Sequence, residues 1–147
     1  MLKAGCLVCV ALAIFSGQAA HAQESRVKIS IVINNDRVIT ATMEDNETAR
    51  DFVSLLPLTL SLDDYNKTEK VSELAKKLTK QGAPAASTPQ IGDISYYAPW
   101  GNLAIFYRKF GHSSGLIKLG RIDSGIDALN VPGPIKVSID VLKQPHR

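Results

Sequence analysis

Thiols are almost missing from this sequence. Two cysteines occur in 147 residues, Cys6 and Cys9, and both fall within the first ten positions. The rest of the chain has no disulfide, no cysteine nucleophile and no thiolate metal site to explain. Histidine is nearly as scarce: His21, His112 and His146 lie far apart. Neither they nor the carboxylates fall at metal-ligand spacing, so no metal and no cofactor is expected. Charge of one sign is not gathered anywhere either. The 17 Lys and Arg are interspersed with 14 Asp and Glu, and such a surface gives no reason to expect nucleic acid. The one basic cluster, LAKKLTK at 74–80, reads as a solvated face. No apolar run reaches the ~20 residues of a membrane-spanning helix, and the longest, Ala4 to Phe15, falls well short.

That run has a context of its own. Lys3 precedes it, and small and polar residues follow it down to Ala20-His21-Ala22. A charged start, a short apolar middle and small residues at the two positions a signal peptidase reads make a secretory signal peptide over residues 1–22, cleaved before Gln23. Both cysteines leave with it. About 125 residues with a formal charge of +2 remain, the size of one domain able to bury its own core. The expected product is a single domain over 23–147, periplasmic or secreted, free of the membrane after cleavage, and a monomer.

Alternation dominates the mature sequence. RVKISIVINNDRVITATM switches between polar and apolar on both sides of Asn34-Asn35-Asp36, the pattern of an antiparallel hairpin with Val27, Ile29, Ile31 and Ile33 on one face. EDNETARDFVSLL then carries a helix capped by Asp45 or Asn46, with Ala49, Phe52, Val53 and Leu56 at helical spacing and Pro57 ending it. LTLSL reads as a strand. The long polar stretch after it holds a short helix over about Val71 to Leu78. DISYYAPWGNLAIFYRKF reads as strand, Pro-Trp-Gly turn and strand, and Leu103 to Tyr107 is apolar on both faces, hence covered on both. A short helix over about Ser124 to Leu129 precedes a last alternating strand with Ile135, Val137, Ile139 and Val141 on one side. Many short strands with two helices make a mainly β fold and point to a barrel.

Three stretches resemble the bacterial cyclophilin-like proteins: TARDFVSLLP at 48–57, GDISYYAPWGNLAIFY at 92–107 and LGRIDSGIDAL at 119–129, with IKVSIDVL standing where the last strand of that fold would be. The resemblance runs from about Val27 to Leu142. It implies a closed cyclophilin-like antiparallel β-barrel whose ends are capped by about two short helices, with Phe52 and Leu56 plugging one end and Ile126 and Leu129 the other. It also implies a groove. Prolyl isomerases of this fold carry an Arg in an early strand, then a Phe-x-x-Gln-Gly-Gly-Asp stretch and an Asn-Gly-Ser-Gln-Phe-Phe stretch. Neither stretch occurs here, and Arg37, Arg50, Arg108 and Arg121 lie in other contexts. No catalytic residue is assigned.

Aromatics are few, yet six of them crowd into Ser95 to Gly111. Side chains alternate along a strand, so of Tyr96 and Tyr97 at most one enters the barrel interior. Phe106, Leu103 and Ile105 read as core. Trp100, between Pro99 and Gly101, is either a contact residue of a groove or a lid over the barrel end. His112 reads as a solvated loop residue. A Ser-His-Asp set could be drawn from Ser113 or Ser114, His112 and Asp123, and a carboxylate pair from Asp63 and Asp64, but no nucleophile-elbow motif supports the first and a solvated strand end accounts for the second. Two readings stand side by side. One is a non-catalytic module that binds a small molecule or extended peptide at Tyr97, Trp100, His112 and Ser113, and the other is a divergent peptidyl-prolyl isomerase.

Overall fold

The computed structural model describes residues 26–143. The expected signal peptide, its two cysteines, the cleavage site before Gln23 and His146 lie outside the described residues. Strands β1 (Lys28–Ile33) and β2 (Arg37–Met43) form the first hairpin in the register Ile31 opposite Ile39. Asn34 and Asn35 both take left-handed backbone angles at its turn, a conformation Asn tolerates better than most side chains. Helix α1 (Glu47–Val53) follows. Asn46 caps it by accepting the Ala49 N–H at 2.8 Å, which satisfies one of the free N–H groups at the helix start. The helix ends at Val53, ahead of Pro57, because Ser54 to Leu56 turn away through backbone bonds to Arg50, Phe52 and Val53.

Next come β3 (Leu58–Tyr65), β4 (Glu69–Glu73), the short β5 (Ala86–Ser87), β6 (Asp93–Tyr97), β7 (Asn102–Phe106), the short β8 (Ser113–Ser114) and β9 (Leu116–Ile122). A 3₁₀ turn at Ile126–Leu129 and β10 (Ile135–Val141) complete the order. Eight strands close an antiparallel barrel in the order β1-β10-β3-β4-β7-β6-β9-β2, while β5 and β8 pair separately as a two-stranded ribbon. Closure leaves these eight strands without a free edge along most of the sheet.

One face of each strand fills the interior. Ile29, Ile31, Ala41, Leu62, Ile105, Leu119 and Val137 are fully buried there. Phe52 is likewise 0% exposed, and it joins this core from α1 with Leu56 partly buried beside it. Leu129 is buried and Ile126 partly buried at the 3₁₀ turn. The hairpin register sets these two plugs at opposite ends, since α1 follows the C-terminal end of β2 whereas the 3₁₀ turn is tied to its start by Arg37 and Asp127, 3.1 Å apart.

The structure overturns one expectation outright and refines three others. Val71 to Leu78 is not a helix: Glu69–Glu73 is strand β4, between β3 and β7. The apolar spacing that mimics a helical face comes from residues with separate tasks, because Val71 packs on the outer wall while Leu74 and Leu78 join the core. Lys76, Lys77 and Lys80 of LAKKLTK are exposed, as a solvated face requires, and the two leucines are the part of that stretch that is buried. Val27 and Val141 continue the alternation but are about 40% exposed, since they lie beyond the barrel's filled section. Finally, the solvated strand end expected at Asp63 and Asp64 holds for exposed Asp63, whereas Asp64 turns inward to Lys70 and Tyr107.

Candidate functional site

The outer wall formed by β3, β4, β7, β6 and β9 differs from the rest of the surface. Cross-strand register lines up its outward side chains. Glu73, Asn102, Tyr97 and Leu116 form one row, Val71, Ala104, Ser95 and Lys118 the next, and Tyr65, Glu69 and Phe106 a third. Ala104, Phe106 and Leu116 make a small second core on this face, with Val71 and Tyr97 packed against it. Tyr96, one residue away, enters the interior, where its hydroxyl accepts the Leu78 N–H at 3.1 Å. The β7 strand is thus covered on both sides, as its apolar sequence requires.

Trp100 lies against this wall rather than over the barrel end. Its ring meets Tyr97 edge-on with centroids 5.2 Å apart and Tyr65 edge-on at 5.7 Å, with interplanar angles of 83° and 81°. Tyr65 and Tyr97 belong to the first and third rows, so the indole spans the diagonal between them. It nevertheless remains 58% exposed, and Tyr65 37%. Gly115 makes the turn possible: at φ +77°, it leaves no Cβ where the Pro99 ring stands, 2.7 Å from the position a Cβ would take. On the far side Phe110 stacks at a tilt on Phe106, centroids 5.9 Å apart.

Three buried side-chain atoms have no hydrogen-bond partner among the described residues: Glu69 Oε2, Ser95 Oγ and Asn102 Oδ1. All three belong to the outward rows of this wall. Orphaned buried polar atoms are uncommon enough that each calls for a physical reason. Burial without a compensating charge pushes the Glu69 carboxyl up to about 7. Asp93, by contrast, is paired. Its buried carboxylate takes Arg121 at 3.1 Å, Lys118 at 3.2 Å and the Gln90 N–H at 2.9 Å.

The candidates from the sequence fall in two groups. Tyr97 and Trp100 come together. His112 and Ser113 lie on the segment that carries β8: Ser113 pairs with Ser87, and exposed His112 shares a 3.0 Å hydrogen bond with Thr88. No Ser-His-Asp set forms, because the Asp123 carboxylate is occupied by Thr42 at 2.6 Å, Thr40 at 2.8 Å and Lys28 at 2.9 Å. Those bonds outweigh burial and hold Asp123 below the usual carboxylate range. Tyr65, Glu69 and Asn102 were not singled out by sequence. For Asn102 the one available signal is its direct position opposite Tyr97 in the hairpin.

Inside the barrel, toward the 3₁₀ turn, Lys70 is fully buried. Its ammonium donates to the Val131 carbonyl at 2.6 Å and the Gly133 carbonyl at 2.7 Å, and lies 3.0 Å from Asp64. The Tyr107 hydroxyl donates to the same carboxylate at 2.5 Å. That bond, with help from Lys70, holds Asp64 below the usual range, while burial and the Asp64 charge push Tyr107 up to about 12. Every polar group here is satisfied, as expected of a structural clamp on the loop before β10.

Two clefts open elsewhere. One, of about 690 Å³, lies beside α1 and is lined by Arg26, Glu44 and Arg50, cations and anions that pair with one another. The other, of about 550 Å³, lies where β3 and β4 diverge and is lined by Leu58, Leu60 and Leu74. Neither contains an orphaned buried atom. Among the described residues no group of His, Cys, Asp and Glu could hold a metal ion.

The family model described as the cyclophilin-like family matches residues 31–140. The chain is also similar to the solution structure of a hypothetical protein from Archaeoglobus fulgidus, with 16% sequence identity, a TM-score of 0.58, and 82% of this chain and 98% of that chain covered. At that identity the likeness extends to the fold. No curated protein matches.

Proposed function

The chain belongs to the cyclophilin-like family, and from that premise we propose that it is an exported binding module whose outer wall holds an extended peptide or small molecule. One observation carries the reading: an exposed aromatic shelf, Tyr65, Trp100 and Tyr97, stands over a wall that contains all three orphaned buried polar atoms. Aromatic rings with one wet side contribute strongly to contact surfaces, and unpaired buried acceptors favour any ligand that brings donors. His112 and Ser113 are proposed as the rim on the far side of the same wall. The export reading rests on the signal-like N-terminus, and places the module in the periplasm or outside the cell.

The non-catalytic reading is favoured over a prolyl isomerase by the arginines. Isomerisation over a barrier of ~18–20 kcal/mol needs a guanidinium aimed at the prolyl nitrogen. Arg37 is spent on Asp127, Arg50 on Asp45 and Glu47, and Arg121 on Asp93, while Arg108 is exposed just beyond β7 and not in an early strand. Calorimetric titration of the secreted chain with pooled random pentapeptides, beside a proline-peptide isomerisation assay, tests this. Heat of binding without accelerated isomerisation is expected. Accelerated isomerisation would overturn the non-catalytic reading, and no heat from the pool would overturn the peptide one.

A further inference from the structure

The shelf has a chemical bias that narrows its ligand, an inference that rests on the binding reading above. Its rings are electron-rich, and two of its three unpaired buried atoms are acceptors on Glu69 and Asn102. Trp100 and Tyr65 are 58% and 37% exposed and carry negative π faces. Asn102 is 7% exposed, lies directly opposite Tyr97, and keeps its Oδ1 unpaired while its amide donates to the Leu103 carbonyl. Glu69 lies opposite Tyr65 with Oε2 buried and unpaired. Asp63 and Glu73 extend the same outward rows.

The cations within the wall strands β4 and β9 are engaged elsewhere. Lys70, next to Glu69 in β4, points into the barrel and is bound to Val131, Gly133 and Asp64. Lys118 and Arg121 serve Asp93. Lys67, Arg108 and Lys109 are exposed at the ends of neighbouring strands, and no ion pair joins any of them to Glu69 among the described residues. Around Tyr65 and Trp100 the π faces and the Glu69 carboxyl are complementary to a positively charged donor, because the one ammonium in the outward rows, Lys118, is spent on Asp93 and Glu44. We propose that the shelf takes a guanidinium or primary ammonium group, with the cation against Trp100 and Tyr65 and its N–H groups on Glu69, which lies opposite Tyr65. The raised Glu69 titration agrees, since an incoming cation supplies the charge compensation that burial denies it.

The same chemistry could arrive on a basic side chain of an extended peptide or on a free amine. Titration of the secreted chain, read by Trp100 emission and by calorimetry, separates the cases. The probes are Nα-acetyl-arginine amide, the N-acetylated and C-amidated peptide Ala-Ala-Arg-Ala-Ala, and both with citrulline, which keeps the shape of arginine and removes the only positive charge. Arginine probes should bind at least about tenfold more tightly than citrulline probes, within the range expected for a partly desolvated cation over aromatic rings. A tighter pentapeptide than amide identifies a side chain of an extended peptide as the source, and equal affinities show that the cationic group alone is recognised. Glu69→Gln, which changes charge without shape, should shrink the preference for arginine while the melting curve is retained. If Glu69→Gln melts early, Tyr65→Leu serves as the second variant with the same expected loss of preference. Citrulline probes that bind as tightly as arginine probes overturn the cation assignment and leave the shelf standing as a binding surface. Failure of all four probes to change emission or release heat overturns the cation assignment, and whether pooled neutral pentapeptides then bind decides the broader reading separately.

Discussion

Tyr96 and Tyr97 are neighbours in the chain and stand on opposite sides of the barrel wall. The Tyr96 hydroxyl, in the interior, accepts the N–H of Leu78 at 3.1 Å, whereas the Tyr97 ring meets Trp100 outside at 5.2 Å. The first fastens the loop after β4 to the core, and the second supports the shelf. Tyr96→Phe leaves the buried Leu78 N–H without an acceptor, and should cost about 1–3 kcal/mol by denaturant melting. An unchanged midpoint would mean that the loop is held without this bond.

Lys70→Met removes the ammonium that joins Val131, Gly133 and Asp64. Breaking one side of a buried ion pair leaves uncompensated groups behind, and a loss of about 3–5 kcal/mol is expected. Hydrogen exchange at the Asn130, Val131 and Gly133 amides should rise before global unfolding. Native protection there would show the clamp to be unimportant for the loop.

Glu69 gives a pH signature of its own. Its carboxyl titrates near 7 in the folded chain, above the ordinary 4.5, because of burial, so the folded state holds a proton that the unfolded state has released. The stabilisation is complete below the unfolded value and is lost as pH rises toward 7. Asp64 and Asp123, held low by their hydrogen bonds, act in the opposite sense and in a more acidic window. Glu69→Gln should therefore flatten the decline in melting temperature between about pH 5 and 7.5. A decline of the same slope in the variant would contradict the burial of this carboxyl.

Gly115→Ala places a Cβ 2.7 Å from Pro99 Cδ at a positive φ. Strain and crowding together should cost roughly 1–3 kcal/mol, and Trp100 emission should change because the Pro99-Trp100 turn must move. Unaltered stability and emission would show that the turn is free to shift.

Much of this architecture is readable from residues because the physics behind it is local. Ile29, Ile31 and Ile33 alternate, Asn34 and Asn35 accept left-handed angles, and Asn46 caps α1; each effect acts over a few positions. Strand β4 escapes such reading. Its inward residue is Lys70, buried only because Asp64 and two carbonyls more than 60 residues away receive it, and its outward residues include Glu69. The site divides the same way. Tyr97 and Trp100 stand out in an aromatic run, but Tyr65 and Glu69 lie in a polar stretch and join them through barrel closure alone. His112 and Ser113 are placed by the β5–β8 pairing, which the sequence does not signal.

Trp100→Ala should separate recognition from stability. The indole is mostly exposed, so melting should change by less than about 1.5 kcal/mol, while a contact residue of this type commonly carries 2 kcal/mol or more of a complex. The most direct measurement uses the native chain, in which Trp100 is the one tryptophan: its emission and acrylamide quenching are followed while pooled random pentapeptides are added. A recognition shelf gives red-shifted, readily quenched emission in the free protein and protection from quencher as peptide binds. Blue-shifted emission that resists quencher from the start, or exposed emission that no peptide alters, would contradict the account.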